Sequence, residues 1–378
     1  MNYTSIIIPF LGGLGMFIYG MQIMAQGLEN AAGNKMKSLL EALTKNKLLG
    51  VLLGAFITAV IQSSSATTVK VVGFVNAGIM NLTQAMGVIM GANIGTTVTG
   101  WLVSSVEWAK FLSPTTLAPI AIMIGVVIML TGKRRSTKDI ASIIVGFGLL
   151  FVGISTMSGA VDPLKESEGF VNLFVTLGKN PLLGIIAGAL VTAIIQSSSA
   201  SVGVLQTLAM NGVVTTNAAV YICLGSNIGS CYTALLSSIG ASKNSKRAAI
   251  INLLFNCFGV LIFALIGFGI FTVNKRIANA TIDSVQISIF HTIFNVVNTI
   301  IMFPIANLLV KVSCIIVKEG KVENESSELS LENHLDDRIM KTPSFAIEAT
   351  LKEINEMGIL AYENTRLSIN AAMYGDYE

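Results

Sequence analysis

Between Leu11 and Val310 the chain is a succession of apolar runs separated by short polar segments. Leu11–Gly27, Leu117–Leu130 and Ala248–Phe271 are nearly free of charge. Such runs predict helices that cross a bilayer, whose core of about 30 Å needs about 20 apolar residues. Other runs are too short. Leu48–Ile61 is followed by a polar cluster and then by Val69–Met80. Two half-length helices around a polar break predict a re-entrant hairpin, which is tolerated where protein or water satisfies the opened peptide groups. Leu82–Val103 predicts a crossing broken at Gly91–Thr97, and Thr116–Thr131 the crossing after it.

The same pattern then returns. Gly54–Ala66 (GAFITAVIQSSSA) and Gly188–Ala200 (GALVTAIIQSSSA) agree at ten of thirteen positions, 134 residues apart. Gly91–Gly95 and Gly225–Gly229 match at the same spacing. Each copy opens with a glycine-rich span, Gly13–Met24 and Gly146–Met157, whose small residues let helices approach closely in lipid. The second copy continues through Leu182–Gly212, Thr216–Ile239 and Ala248–Phe271, and a last span, Val285–Val310, follows. A repeat whose polar interruption lies inside apolar runs is the signature of a transporter site made from broken helices.

Three crossings per copy force the second copy upside down. Matched loops swap basic character accordingly. Leu28–Lys47 carries +2 against −1 for Val161–Asn180, and Ser104–Thr116 carries zero against +3 for Gly240–Ala248. Thr131–Asp139 carries +3. The positive-inside rule then places Leu28–Lys47, Thr131–Asp139 and Gly240–Ala248 in the cytoplasm, with the N-terminus outside and the C-terminus inside. Lys275 and Arg276, on an outside loop, go against it. The predicted fold is an all-α polytopic protein of the cytoplasmic (inner) membrane. It has two inverted repeats with QSSS re-entrant hairpins and broken transmembrane helices. The expected boundaries are 1–139 and 140–272 for the repeats, 273–317 for the final transmembrane helix and 318–343 for a charged linker. A helical region, 344–378, is expected to be the start of a soluble bundle.

Composition agrees: 53% hydrophobic and 12% charged among 378 residues. Three of the four cysteines lie in apolar runs without CxxC spacing, and the two histidines, His291 and His334, are too few for a histidine metal cluster.

The chemistry lies in the breaks. Gln62, Ser63, Ser64, Ser65, Thr67 and Thr68, and their counterparts Gln196, Ser197, Ser198, Ser199 and Ser201, offer hydroxyls, amides and unwound backbone. The N-terminus of the following half-helix suits an anion, and the carbonyl end of the preceding half suits a small cation. Serine hydroxyls can donate to an oxyanion or offer oxygen to Na⁺. Alternatively, Ser and Thr bond back to their own helix or hold helices together. Asn93 and Asn227 could complete an ion shell or act as the same kind of glue. Neither hairpin contains Asp or Glu, so Na⁺ there must be balanced by the anion. Lys70 is the one charge in a hairpin helix, and its counterpart is Val204. It faces a bound anion, stands in for a cation, or snorkels to water.

The QSSS and Asn-Ile-Gly pairs resemble the type II sodium–phosphate cotransporter family, over about Leu11 to Val310. That resemblance implies Na⁺-driven symport of inorganic phosphate by alternating access. It carries Ser63, Ser64, Ser65, Ser197, Ser198 and Ser199 over to phosphate. Na⁺ is expected at Gln62 and Gln196 of these motifs and, from the reading of the residues above, at Thr67, Thr68, Asn93, Ser201 and Asn227. The family often shows His-x-x-Phe-Asn after the second repeat. Here Asn252–Asn256 has Asn in place of His, and His291–Asn295 has the full pattern. His334–Tyr362 is similar to the start of a PhoU-like domain. The expected partners are phosphate, Na⁺, the bilayer and a second copy in a homodimer, with no cofactor and no nucleic acid. A phosphate sensor acting through the tail and a carrier of another small anion are the competing readings. A serine hydrolase would have only His291 as intramembrane base and lacks Gly-x-Ser-x-Gly, so no enzyme is expected.

Overall fold

The computed structural model describes residues 4–42, 47–78, 80–108, 114–318 and 343–374. Most of the predicted linker, Lys110 and the start of the PhoU-like stretch at His334 lie outside the described residues. The described residues are mainly helical. In the first copy the helices are α1 (Thr4–Ala42), α2 (Lys47–Ile61), α3 (Ser64–Asn76), α4 (Leu82–Gly95), α5 (Thr97–Trp108) and α6 (Pro114–Thr131). The second copy holds α7 (Arg135–Val161), α8 (Glu168–Lys179), α9 (Pro181–Ile195), α10 (Ser198–Met210), α11 (Thr216–Gly229), α12 (Cys231–Ser237) and α13 (Lys243–Val273). After them come α14 (Lys275–Asn279), α15 (Ser284–Met302), α16 (Ala306–Ile316) and α17 (Pro343–Tyr374).

Among the described residues six helical spans, or seven if the bent pair α8–α9 counts as one, are long and apolar enough to cross a membrane. Outward residues of the apolar helices, such as Met123, Leu130, Leu182, Ile194, Leu261 and Leu265, are exposed, while Thr58, Asn227, Gln206 and Asn295 are buried. That inside-out distribution fits a hydrocarbon solvent, in which polar groups must find partners within the protein.

Two expected elements differ. The polar stretch after the first span is not a loop up to Ala42, because α1 continues through it as helix. The final transmembrane helix is not one helix either. It stops at Met302 and resumes at Ala306. Pro304 lies in that break, where it lacks the N–H that would bond the carbonyl four residues back and its ring crowds that carbonyl.

The opening helices of the two copies, α1 and α7, pack on each other. A methyl at Gly13 would strike Gly153 O, and one at Gly20 would strike Gly146 O. The reverse holds for Gly153 against Gly13 O and for Gly146 against Gly20 O. Rising positions on α1 meet falling positions on α7, so the helices run antiparallel with backbones in contact. In lipid this close packing, not exclusion of water, holds helices together.

The half-helices interlock across the copies. α3, after the first QSSS break, packs against α12 and α13, whereas α10, after the second, packs against α5 and α15. The polar contacts match. Ser245 Oγ of α13 donates to Val72 O at 2.9 Å. Gln206, the counterpart of Val72, donates through Nε2 to Ser284 O of α15 at 3.0 Å. α13 carries Asn252-x-x-Phe255-Asn256 and α15 carries His291-x-x-Phe294-Asn295, with both phenylalanines fully buried. α13 thus stands beside α3 as α15 stands beside α10.

Candidate functional site

Each QSSS motif makes the same break. Gln62 (φ 57°) and Gln196 (φ 59°) are the non-glycine residues with positive φ among the described residues. Left-handed backbone at such residues costs of order 1–3 kcal/mol and persists where surrounding structure holds it, characteristically at functional sites. The next residue caps the following half-helix. Ser63 Oγ accepts from Ala66 N at 3.1 Å, and Ser197 Oγ from Ala200 N at 3.2 Å. The amides of Ser64 and Ser65, and of Ser198 and Ser199, then head their helices without an intrahelical acceptor.

The breaks of α2–α3 and α9–α10 are joined through a third. Thr96, between α4 and α5, has its hydroxyl 3.2 Å from Ser199 Oγ and 3.4 Å from Ser64 Oγ. All three residues are buried. The structure thus brings together one serine from each motif, on a threonine that the sequence reading did not select. Its repeat counterpart, Ser230, also carries a hydroxyl, and that shared feature after Asn-Ile-Gly was the available signal.

The flanking residues are placed less symmetrically. Gln62 Oε1 accepts from Thr99 Oγ1 at 2.8 Å, but Gln196 is exposed. Thr58 Oγ1 donates to Thr67 Oγ1 at 2.9 Å. In the second copy Ser201 Oγ lies instead 3.2 Å from Ser226 Oγ, and Thr192 Oγ1 is buried without a partner. Ser63, Ser65 and Ser197 are half-buried, and Thr68 is buried. Asn93 and Asn227 each donate Nδ2 to the carbonyl four residues back, Ile89 O at 2.8 Å and Cys223 O at 2.9 Å. Their Oδ1 atoms are thereby turned away from that bond.

The glycines of the Asn-Ile-Gly motifs set this packing. A methyl at Gly91 would strike Val51 O, and one at Gly225 would strike Ile185 O. α4 therefore lies backbone to backbone with α2, and α11 with α9.

Lys70 lies apart from these groups. Its Nζ pairs with Glu29 Oε1 of α1 at 2.7 Å, with side chains 37% and 42% exposed. Sequence reasoning also missed the bracing behind α10. Gln206 Nε2 donates to Gly100 O at 3.0 Å and to Ser288 Oγ at 2.8 Å. The N–H and hydroxyl of Ser284 donate to Glu107 at 2.9 and 2.5 Å. Gln206 has apolar Val72 as counterpart, so the repeat could not reveal it.

Leu48–Val69 and Pro181–Met210 contain no ionisable side chain, so hydroxyls, amides and helix ends are the chemistry available there. Hydroxyls and helix N-termini favour an oxyanion, and hydroxyl and carbonyl oxygens favour a small cation.

The sequence profile described as Na⁺/Pi-cotransporter matches residues 16–159 and 165–294. The chain is 26% identical over 372 residues to the Escherichia coli K12 protein named "Putative inorganic phosphate export protein YjbB", covering 98% of this chain and 66% of that one. It thus spans about two thirds of that relative's length. It is 29% identical over 308 residues to "Uncharacterized protein YqeW" of Bacillus subtilis, covering 80% of this chain and 95% of that one. Rat "Sodium-dependent phosphate transport protein 2A" is 25% identical over 187 residues, 47% of this chain and 29% of that one. No solved structure gives a significant match.

Proposed function

The chain belongs to the Na⁺/Pi-cotransporter family, and on that premise we propose that it is a sodium-coupled symporter of inorganic phosphate. The observation that carries this reading is the Ser64–Thr96–Ser199 hydroxyl cluster, which joins the two QSSS breaks in a buried place without charged side chains. Phosphate is held by hydroxyls of Ser63, Ser64, Ser65, Ser197, Ser198, Ser199 and Thr96 and by the helix N-termini of α3 and α10. Na⁺ takes oxygen from Gln62, Thr67, Thr68, Asn93, Ser201 and Asn227. With no carboxylate at the site, each ion supplies the charge the other lacks, so their binding is mutually strengthening.

The breaks are the tips of re-entrant hairpins in two inverted repeats, and alternating access runs around them. The antiparallel α1–α7 pair supports this arrangement, because equivalent helices of inverted repeats must point in opposite directions. Basic Thr131–Asp139 and Gly240–Ala248 place the cytoplasmic face, and the protein resides in the cytoplasmic membrane.

The test is phosphate flux in proteoliposomes of the purified chain. Uptake that accelerates with an inward Na⁺ gradient and falls with choline is expected. Flux indifferent to Na⁺ would overturn the coupling, and binding without flux would favour a sensor. Because one relative bears an export name, the same vesicles loaded with phosphate test the direction. Release driven by outward Na⁺ is expected of a reversible symporter.

A further inference from the structure

After α15 the chain enters a helix of different character. α16 has 11 residues, about 16 Å at 1.5 Å per residue and roughly half of a bilayer core. α15, with 19 residues, is long enough to cross without it.

α16 presents three faces. Ala306, Leu309 and Ser313 are buried on the bundle side, where the helix packs against α13 and α4. Leu308 (56% exposed), Ile315 (67%) and Ile316 form an apolar outer face. Asn307 and Lys311, one turn apart, form a polar outer face. At about 100° per residue the three sets point roughly a third of a turn from one another. The flanks of this helix thus suit three surroundings: protein, hydrocarbon and water. A helix crossing the bilayer has no water along its outer flank, and its polar side chains there would meet acyl chains. A lysine has a stem long enough to snorkel, but an asparagine has not. A helix lying in the plane of the interface suits all three faces.

The ends of α16 agree. Just before it, Phe303 O accepts from Lys47 Nζ, which also lies 4.1 Å from the centre of the Phe303 ring. Just after it, Val317 O accepts from Arg247 Nε at 3.1 Å. Cations suit the free carbonyls at helix ends. Lys47 opens α2, and Arg247 lies in the second turn of α13. Both belong to basic segments that the positive-inside rule places at the cytoplasmic face. The two ends of α16 are therefore held by the starts of helices that enter from the same side.

We propose that α16 is an interfacial helix docked on a phospholipid surface, the cytoplasmic leaflet. Leu308, Ile315 and Ile316 lie among acyl chains, and Asn307 and Lys311 lie at the headgroups, where the lysine ammonium faces lipid phosphates. The helix ties the starts of α2 and α13 to that leaflet. The choice of leaflet rests on the topology proposed above, whereas the interfacial placement does not depend on what is carried.

Nitroxides on Asn307→Cys, Leu308→Cys, Lys311→Cys and Ile315→Cys test it, one at a time, in full chain lacking the native cysteines and held in phosphatidylglycerol nanodiscs. Spin relaxation by oxygen reports hydrocarbon, and relaxation by a water-soluble nickel chelate reports water. The nickel-to-oxygen ratio is expected to be at least threefold higher at 307 and 311 than at 308 and 315, alternating with the helix face. A ratio that changes steadily along the chain, with 307 and 308 alike, would mean a spanning helix and overturn the proposal. Nickel dominance at all four positions would mean a helix in water and overturn it as well. If the cysteine-free chain does not fold, tryptophan placed at the same four positions of the parent serves instead, its quenching by acrylamide compared with that by brominated phospholipid. Labelling of Lys311→Cys in intact cells by an impermeant thiol reagent would overturn the assigned leaflet and the topology behind it, while the face pattern tests the docking separately.

Discussion

Thr96 and Ser199 are 103 residues apart in sequence, and their hydroxyl oxygens lie 3.2 Å from each other. The contact joins the broken span of the first repeat to the QSSS motif of the second. Thr96→Val keeps the shape and removes the hydroxyl from a buried site, a loss of about 1–3 kcal/mol. Apparent phosphate affinity should fall roughly tenfold or more. Thr96→Ser should restore it. Wild-type affinity in Thr96→Val, measured by tracer uptake, would remove Thr96 from the site.

Ser64 and Ser198 head α3 and α10 at equivalent positions. Ser64→Ala and Ser198→Ala should each weaken phosphate by a similar amount, about 1–3 kcal/mol. Ser326→Ala, outside the repeats, should have no effect. A Ser64→Ala protein that transports like the parent would detach the QSSS motif from substrate binding.

Reciprocity gives a thermodynamic prediction. If Na⁺ and phosphate neutralise each other in a site without carboxylates, the factor by which Na⁺ tightens phosphate binding equals the factor by which phosphate tightens Na⁺. Calorimetry of each ligand with and without the other measures both factors. Equal phosphate affinity in Na⁺ and choline would refute the coupling.

Lys70 is paired with Glu29 and more than a third exposed. Such a pair contributes about 0–1 kcal/mol. Lys70→Met should leave both the charge moved per phosphate and the Na⁺ dependence unchanged. A changed charge-to-phosphate ratio, from current and tracer flux recorded together, would return Lys70 to the transport site.

Gly91 and Gly225 let helix backbones touch, and a methyl at either would meet a carbonyl oxygen. Gly91→Ala and Gly225→Ala should each cost about 1–3 kcal/mol and lower the unfolding temperature. Gly269→Ala meets nothing within 4 Å and should be neutral or slightly stabilising. Thermal unfolding in detergent distinguishes them. Equal melting temperatures for the three variants would contradict the close approach.

Much of this protein was legible from pattern. Apolar runs fixed where helices form, because in lipid a backbone must satisfy its own hydrogen bonds. The repeated QSSS text located both breaks, since a polar cluster inside such a run can only be accommodated where the helix opens. The predicted half-helices Leu48–Ile61 and Val69–Met80 correspond to α2 and α3, although α3 begins earlier, at Ser64, because Ser63 caps it.

Partnership was not legible. Nothing in the repeat indicates that Thr96 meets Ser199, that Lys70 finds Glu29 on α1, or that Gln206 braces α15. Each contact joins helices distant in sequence, and which faces meet depends on crossing geometry set by glycine contacts between α1 and α7 and between α2 and α4. The sequence by itself determined the helices, the two copies and the polar breaks, because those follow from local hydrogen bonding and hydrophobicity. Only the tertiary structure decided which hydroxyls and amides share a site, because side chains from separate helices meet only after those helices have packed.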